Sequence, residues 1–348
     1  MMKYLLVNFA AIISLNVFAS CKKAETPKNP APSNIVINAI VSADGSGNVD
    51  FTVTATNAVT YSFEFGNGEM QDVPTGAVTY KYATVGTIDY IVTVTAKNSA
   101  GLSASAKKNI SVTVKPSIPS LVWSDEFDKN GAPDPTKWIY DIGTGSGGWG
   151  NNELQYYTNR VENAVVDNGI LKVKAIKENF SGSAYTSARL LSKGKYEFKY
   201  GTVEVRAKVP AAVGTWPAVW MLGADFPTVV WPACGETDIL EHRGSDLNRI
   251  TAALHYPGRS GGNPVSNTTV IQNASTEFHI YKFDWTSTSM QFFVDGKLFH
   301  TVANNASIPY NKNFFILVNL AMGGGFGGPV DPAFTNATFE VDYIRVYK

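Results

Sequence analysis

No stretch between Leu121 and Lys348 keeps a helical hydrophobic period for more than two turns, whereas short apolar, alternating or β-branched runs recur throughout. They read LVWSDEF, ILKVKAI, YEFKYGTVEVRAKV, ETDILEH, RITAALHY, HIYKFDWT, SMQFFVDGKL, FFILVNLAM and ATFEVDYIRVY. This texture predicts an all-β domain over residues 121–348, with antiparallel sheets in two layers, a jelly-roll β-sandwich. Asp295-Gly296 predicts a tight hairpin inside SMQFFVDGKL. All seven tryptophans fall in this part of the chain.

The stretch Gly235 to Gly244, GETDILEHRG, places Glu236, Asp238 and Glu241 within six residues. Side chains two apart share a strand face, so Glu236 and Asp238 point one way and, on a regular strand, Glu241 the other. One extra residue, a β-bulge at Ile239 or Leu240, returns Glu241 to the shared face, and bulges concentrate beside active sites. The two glutamates are then roughly 13 Å apart at Cα, and leaning side chains bring their carboxyls to about 5–6 Å. That distance is compatible with a retaining glycosidase at about 5–5.5 Å, where an inverting one needs about 6.5–9.5 Å. Crowded like charges raise at least one pKa, as a general acid at neutral pH requires.

The competing reading is a solvated strand face whose acids do no chemistry. Against it stand the repulsion among three same-face carboxylates and a neighbourhood in which Arg243 is the closest basic residue. Trp216, Trp220 and Trp231 precede the acids, and aromatic rings suit the apolar faces of pyranoses. Trp216 and Trp220 are four apart and share a strand face, with core packing as the alternative for each; Trp231, before Pro232, reads as a loop residue. In GSGGWGNNELQYYTN, Trp149, Asn152 and Glu153 are candidates for the rim of a cleft, against a turn into an edge strand. His242 should face away from the acids, whereas His255, ending the next strand signal, is expected beside Glu241.

Other chemistries lack their residues. Four histidines without HExxH or a His-x-His pair argue against catalytic zinc, and there is no phosphate-binding glycine loop, CxxC pair or G-x-S-x-G elbow. GGGFGG, Gly323 to Gly328, reads as a flexible cleft loop. With 29 basic and 29 acidic side chains, no broad field draws nucleic acid or an anionic surface.

The start reads as a secretory signal over residues 1–20, with Lys3 as the positive region and an apolar run too short to span a membrane comfortably. Cys21 directly after Ala19 and Ser20 resembles a bacterial lipoprotein processing site, with Phe18 where Leu is usual; ordinary cleavage with Cys21 incidental is the alternative. Cys234 reads as a small buried thiol. Residues 21–34 are a Pro-rich tether, and 116–120, with Pro116 and Pro119, a linker. Between them, residues 35–115 read as a small β-sandwich. Its pieces YSFEFGNG and YKYATVGTIDYIVTVTAKNSAG resemble the polycystic-kidney-disease type of immunoglobulin-like module, with Phe63 and Asn67 where Trp and Asp are usual. A spacer is expected here rather than a sugar-binding module, because it contains no tryptophan.

ETDILEH resembles the bulged signature of family 16 glycoside hydrolases, Glu-x-Asp-x-x-Glu. The resemblance runs from about Trp123 to the C-terminus through WSDEFD, WGNNELQYYT, YGTVEVRAKVP, GTWPAVWMLG, HYPG, FVDGK, NLAMGG and EVDYIRVY. It implies an open cleft and an endo-acting, retaining mechanism with Glu236 as nucleophile, Glu241 as acid/base and Asp238 tuning the nucleophile. GWGNNELQYYT and the bulge look closest to laminarinase-like endo-β-1,3-glucanases, with mixed-linkage β-1,3-1,4-glucan as a second substrate. Members acting on agar, porphyran or carrageenan generally carry basic or special cleft residues, and no basic cluster is visible here. A same-fold enzyme on another polymer, a transglycosylase and a non-catalytic carbohydrate-binding lipoprotein are the alternatives. Some members hold a structural calcium, and the matching positions are Glu126, Gly169 and Asp342; no cofactor is implied for catalysis. The expected partner is a β-glucan bound by a monomer, with no nucleic acid. Membrane contact is expected only through a lipid anchor on Cys21, in the outer membrane at its periplasmic or outer surface.

Overall fold

A computed structural model describes residues 29–116 and 119–348, which form two units divided after Ile118. The leader 1–20, Cys21 and the tether as far as residue 28 lie outside the described residues, as do 117 and 118 of the linker. Among the described residues no helix is long and apolar enough to cross a membrane.

In the smaller unit the strands Ser33–Val41, Asn48–Thr56 and Ala77–Lys81 form one sheet, and Met70–Val73, Thr60–Glu64, Gly86–Lys97 and Ser103–Val114 form a second. The period-2 runs bring Val49, Phe51 and Val53 of the first sheet against Phe63, Val92 and Val94 of the second, all buried. Tyr80 stacks on Phe65 with ring centroids 3.7 Å apart, and Tyr82 is buried, so both rings serve packing.

In the larger unit seven strands form one sheet, in spatial order Val265–Val270, Arg249–His255, Glu236–His242, Thr215–Gly223, Phe314–Met322, Arg189–Leu191 and Ile139–Tyr140. Ten strands form the other. Its interior strand Asn336–Tyr347 is hydrogen-bonded to Ile170–Phe180, Gly201–Lys208 and Leu121–Asp125. Val219, Met221, Leu240, Leu254 and Ile316 of the first sheet meet Leu171, Val203, Tyr281, Phe283 and Phe339 of the second. Burying a side chain of this size contributes about 1.5–3 kcal/mol. Alternate residues of the first sheet, among them Trp216, Trp220, Glu236, His255 and Asn319, therefore point away from this core and onto the face that carries the site.

The hairpin joins Ser289–Val294 to Lys297–Ala303 through Asp295 and Gly296, both left-handed at φ 49° and 76°, as the Asp-Gly pair predicts. Two expectations are corrected. The sheets are not purely antiparallel: Gln155–Tyr157 runs parallel to Ser183–Ser187, because the chain first makes the hairpin Ala164–Asp167 to Ile170–Phe180 and Ser183–Ser187 then returns between Ile170–Phe180 and Gln155–Tyr157. The stretch Gly323 to Gly328 contains a short helical turn, Gly324–Gly327, rather than a shapeless loop. A Cβ on Gly324 would lie 2.9 Å from the carbonyl oxygen of Asn151, so only glycine lets these two segments pack so closely.

Two of the three residues matching a calcium set have their carboxylates engaged by guanidinium groups. Both carboxylate oxygens of Glu126 accept from Arg345, at 2.9 and 2.8 Å, and Asp342 is paired with Arg206. Gly169 lies in the turn before Ile170–Phe180, with φ 77°. An ion bound by these carboxylates has to displace two guanidinium groups. EDTA is therefore expected to leave the Tm unmoved in a calorimetric scan; a fall that added Ca2+ reverses, and that Asp342→Asn abolishes, would place the ion there.

Candidate active site

Glu236–His242 lies between Thr215–Gly223 and Arg249–His255, antiparallel to both. On one side Leu240 pairs with Val219 and Asp238 with Trp220, leaving Ile239 without a partner. On the other side Asp238 pairs with Ala253 and Glu241 with Thr251, so Ile239 and Leu240 together oppose a single residue. The slip is a β-bulge at the position the carboxylate spacing predicts. Ile239 and Leu240 both enter the inter-sheet core, and Glu236, Asp238 and Glu241 share the other face. His242 is fully buried on the core side, where burial holds its imidazole neutral and pushes its pKa down to about 4.

The three acids are poorly solvated. Side-chain exposure is 17% for Glu236, and residue exposure is 4% for Asp238 and 8% for Glu241. Burial pushes the pKa of Glu241 up to about 8, reinforced by the Asp238 carboxylate and opposed by the hydrogen bond from Trp216. Glu236 and Asp238 titrate together, both upward, because burial disfavours their charged forms; at Glu236 the Asp238 charge adds to this and His255 opposes it. At neutral pH the cluster therefore retains protons, the condition for a carboxylic acid that donates one.

The structure separates the aromatic candidates by role. Trp216 donates from Nε1 to Glu241 Oε1 at 2.9 Å, fixing that carboxyl, and its ring packs on Phe326 at 5.2 Å between centroids. Trp220 donates to Asn319 Oδ1 at 2.7 Å, and the Arg189 guanidinium lies 4.7 Å from its ring centre. Trp231 is 40% exposed on the loop before Glu236, and its ring lies 6.0 Å from that of His255. His255 is not beside Glu241. The register pairs it with Glu236, and its Nε2 stands 3.2 Å from Asp238 Oδ2 and 3.8 Å from Glu236 Oε1. The expectation failed because the antiparallel register sets His255 level with Glu236, at the start of the strand, and Glu241 near its end level with Thr251.

Trp149 and Asn152 occupy a turn at Gly148–Asn152, both at φ 57°; Asn152 is exposed and Trp149 half-buried, 4.9 Å below the Arg189 guanidinium. Glu153 is tied down by Asn151 at 3.1 Å, Gln155 at 2.7 Å and the Tyr157 hydroxyl at 3.1 Å. It anchors the turn onto Phe314–Met322, since Gln155 Oε1 in turn accepts from the Met322 amide at 2.7 Å.

Several residues of the site were not singled out by sequence. Arg189 pairs with Asp141 at 3.0 Å and sits against both Trp149 and Trp220. Tyr310, buried, shares its single hydroxyl proton between the carbonyls of Glu236 and His255, at 2.7 and 3.1 Å, joining two strands at the acids. Asn319 connects Trp220 to Tyr157, to which it donates at 3.0 Å. A central-strand asparagine within FFILVNLAM was the available signal, because an amide in an apolar run needs partners.

The raised pKa of Glu241 has a stability consequence. The native state binds more protons than the unfolded chain between the ordinary carboxyl range and about pH 8. The associated stability is thus present at acid pH and lost as pH rises through that window. Glu241→Gln is expected to raise the Tm at pH 9 by about 2–4 °C while leaving it nearly unchanged at pH 5, read by calorimetry. An equal shift at both values would show that the carboxyl is not the destabilising charge.

Comparison with known proteins agrees with this geometry. The family model for glycosyl hydrolases family 16 matches residues 151–345, and the PKD domain model matches residues 36–112. The chain is 41% identical over 244 residues to a beta-glucanase of Rhodothermus marinus, covering 66% of this chain and 85% of that protein. It is 36% identical over 250 residues to a glucan endo-1,3-beta-glucosidase of Cryptopygus antarcticus, covering 65% and 90%. The laminarinase catalytic domain of Thermotoga maritima superposes with a TM-score of 0.63 at 40% identity, covering 66% of this chain and 98% of that one. With its bulged Glu236–His242 strand inside the matched region, this chain belongs to glycosyl hydrolases family 16, preceded by a PKD module.

Proposed function

We propose that this chain is an endo-acting, retaining β-glucanase that hydrolyses β-1,3-linked glucan of the laminarin type, with mixed-linkage β-1,3-1,4-glucan as a second substrate. The observation that carries the reading is the bulge at Ile239, which sets Glu236, Asp238 and Glu241 on one face beside Trp216 and Trp231. Glu241, protonated at neutral pH, donates to the glycosidic oxygen while Glu236 attacks the anomeric carbon, and the leaving chain departs with the proton. The Trp216 N–H accommodates the charge left on Glu241. Glu241 then takes a proton from water, which opens the glycosyl-enzyme ester with the β configuration kept. Burial and the Asp238 charge push the pKa of Glu236 up, and His255, 3.8 Å from Glu236 Oε1, opposes that shift and so favours the ionised nucleophile.

The walls favour a neutral polymer. Arg189 is engaged by Asp141 and two tryptophans, and Arg243 lies on Phe326 at 4.3 Å, so neither guanidinium is held open for a sulfate. A reducing-end assay across laminarin, lichenan, agarose, porphyran and carrageenan is expected to give the highest rate on laminarin, with mixed product lengths. A preference for agarose or a sulfated galactan overturns the substrate assignment. Glu236→Gln is expected to lower turnover at least about 10³-fold with fold and glucan binding intact. Proton NMR of wild-type products should show the β-anomer first, and initial α-anomer overturns retention.

The address is read from the leader. Cys21, after Ala19 and Ser20, is proposed as the lipidated N-terminus of a monomeric, outer-membrane-anchored lipoprotein. Palmitate labelling in a bacterial host should mark the wild type and not Cys21→Ser; equal labelling removes the anchor.

A further inference from the structure

We propose that Glu236, Asp238 and His255 together form a site for a divalent ion of borderline softness, Zn2+ or Cu2+, whose occupancy silences the nucleophile. The inhibition rests on the glucanase reading; the binding of the ion does not.

Among the described residues these three form a group whose potential ligand atoms all lie within 4.8 Å of one another. His255 Nε2 is 3.2 Å from Asp238 Oδ2 and 3.8 Å from Glu236 Oε1. A tetrahedral ion about 2.0–2.2 Å from its nitrogen and oxygen ligands holds them roughly 3.4 Å apart, so small side-chain movements complete the contact. A second observation points the same way. Asp238 is 4% exposed, and its Oδ2, turned toward His255, has no hydrogen-bond partner among the described residues. A buried carboxylate oxygen left without a donor is costly, and a cation removes that cost.

The ligand set selects the metal. One imidazole and two carboxylates with a fourth position open suit Zn2+ or Cu2+, whereas Ca2+ takes six to eight oxygens and Mg2+ a near-octahedral oxygen shell. The far nitrogen of His255, Nδ1, has no protein acceptor among the described residues to orient the ring. Ligating histidines ordinarily have one, and lacking it lowers affinity. The site is therefore expected to bind in the micromolar range, as a reversible inhibitory site rather than a structural one. Coordination forms one metal–nitrogen and two metal–oxygen bonds, and any carboxyl proton passes to solvent. The Glu236 carboxylate is then bonded to the ion through Oε1, and its charge is no longer free to attack the anomeric carbon.

The test is calorimetric titration of the full chain, stripped with EDTA and dialysed, with ZnCl2 and separately with CaCl2. One Zn2+ per chain is expected, with no Ca2+ heat from this site. His255→Gln and Asp238→Asn should each weaken Zn2+ at least about tenfold, with near-UV circular dichroism matched to wild type so that misfolding is not read as lost binding. Co2+ should give the strong visible absorption of a tetrahedral nitrogen–oxygen site, bleached in both variants. Adding a β-1,3-gluco-oligosaccharide to Glu241→Gln, which keeps all three ligands but does not turn over, should weaken Zn2+. Zn2+ affinity unchanged by both substitutions overturns the site. If Zn2+ depends on these residues but the oligosaccharide does not compete, the metal site stands and the glucan reading fails.

Discussion

One unpaired residue in one strand sets the chemistry of the larger domain. Without Ile239 looping out of register, the alternation of a strand would place Glu241 in the hydrophobic layer with Leu254 and Ile316, where an acid has no role. With it, two adjacent apolar residues enter the core in place of one, and three acids emerge together. Register also explains why the neighbours matter: Glu241 pairs with Ala218 and Asp238 with Ala253, so Trp216 and His255, each two residues along its strand, meet those acids diagonally.

Three acids in a poorly hydrated floor repel one another, and the surroundings are built to tolerate rather than abolish that repulsion. The donor from Trp216 and the imidazole of His255 oppose the burial of their carboxylates without neutralising the cluster. Tyr310 clamps the two backbone carbonyls beneath it. Further along, Glu153, Gln155, Tyr157, Asn319 and Trp220 form a continuous hydrogen-bonded chain from the Gly148–Asn152 turn to the middle of the sheet. Such a network restricts the aromatic walls to a few rotamers, so that sugar binding does not have to order them.

Much of this was legible because alternation is a local property. The strands of Val49, Phe51 and Val53, the Asp295-Gly296 hairpin and the bulge itself follow from residues within a few positions of each other. The odd spacing of Glu236 and Glu241 is itself the bulge written in sequence. What alternation does not contain is which strand lies next to which, and in what direction. Alternation therefore does not say which glutamate His255 faces, that Gln155–Tyr157 and Ser183–Ser187 run parallel, or that Arg189 and Asn319 reach the site. Tyr157 and Asn319 meet across 162 positions of chain, a contact that no neighbouring residues encode.

The place of Asn336–Tyr347 in its sheet has a consequence for how the domain is made. This strand is the latest of its sheet to leave the ribosome, yet it fills an interior slot, bridging Ile170–Phe180 to Gly201–Lys208. Until it arrives those two strands have open edges facing a gap, and the layer above them has no floor. The domain therefore closes only after translation has passed Tyr347, and a nascent chain stalled earlier is a sheet split down its middle rather than one with a frayed border.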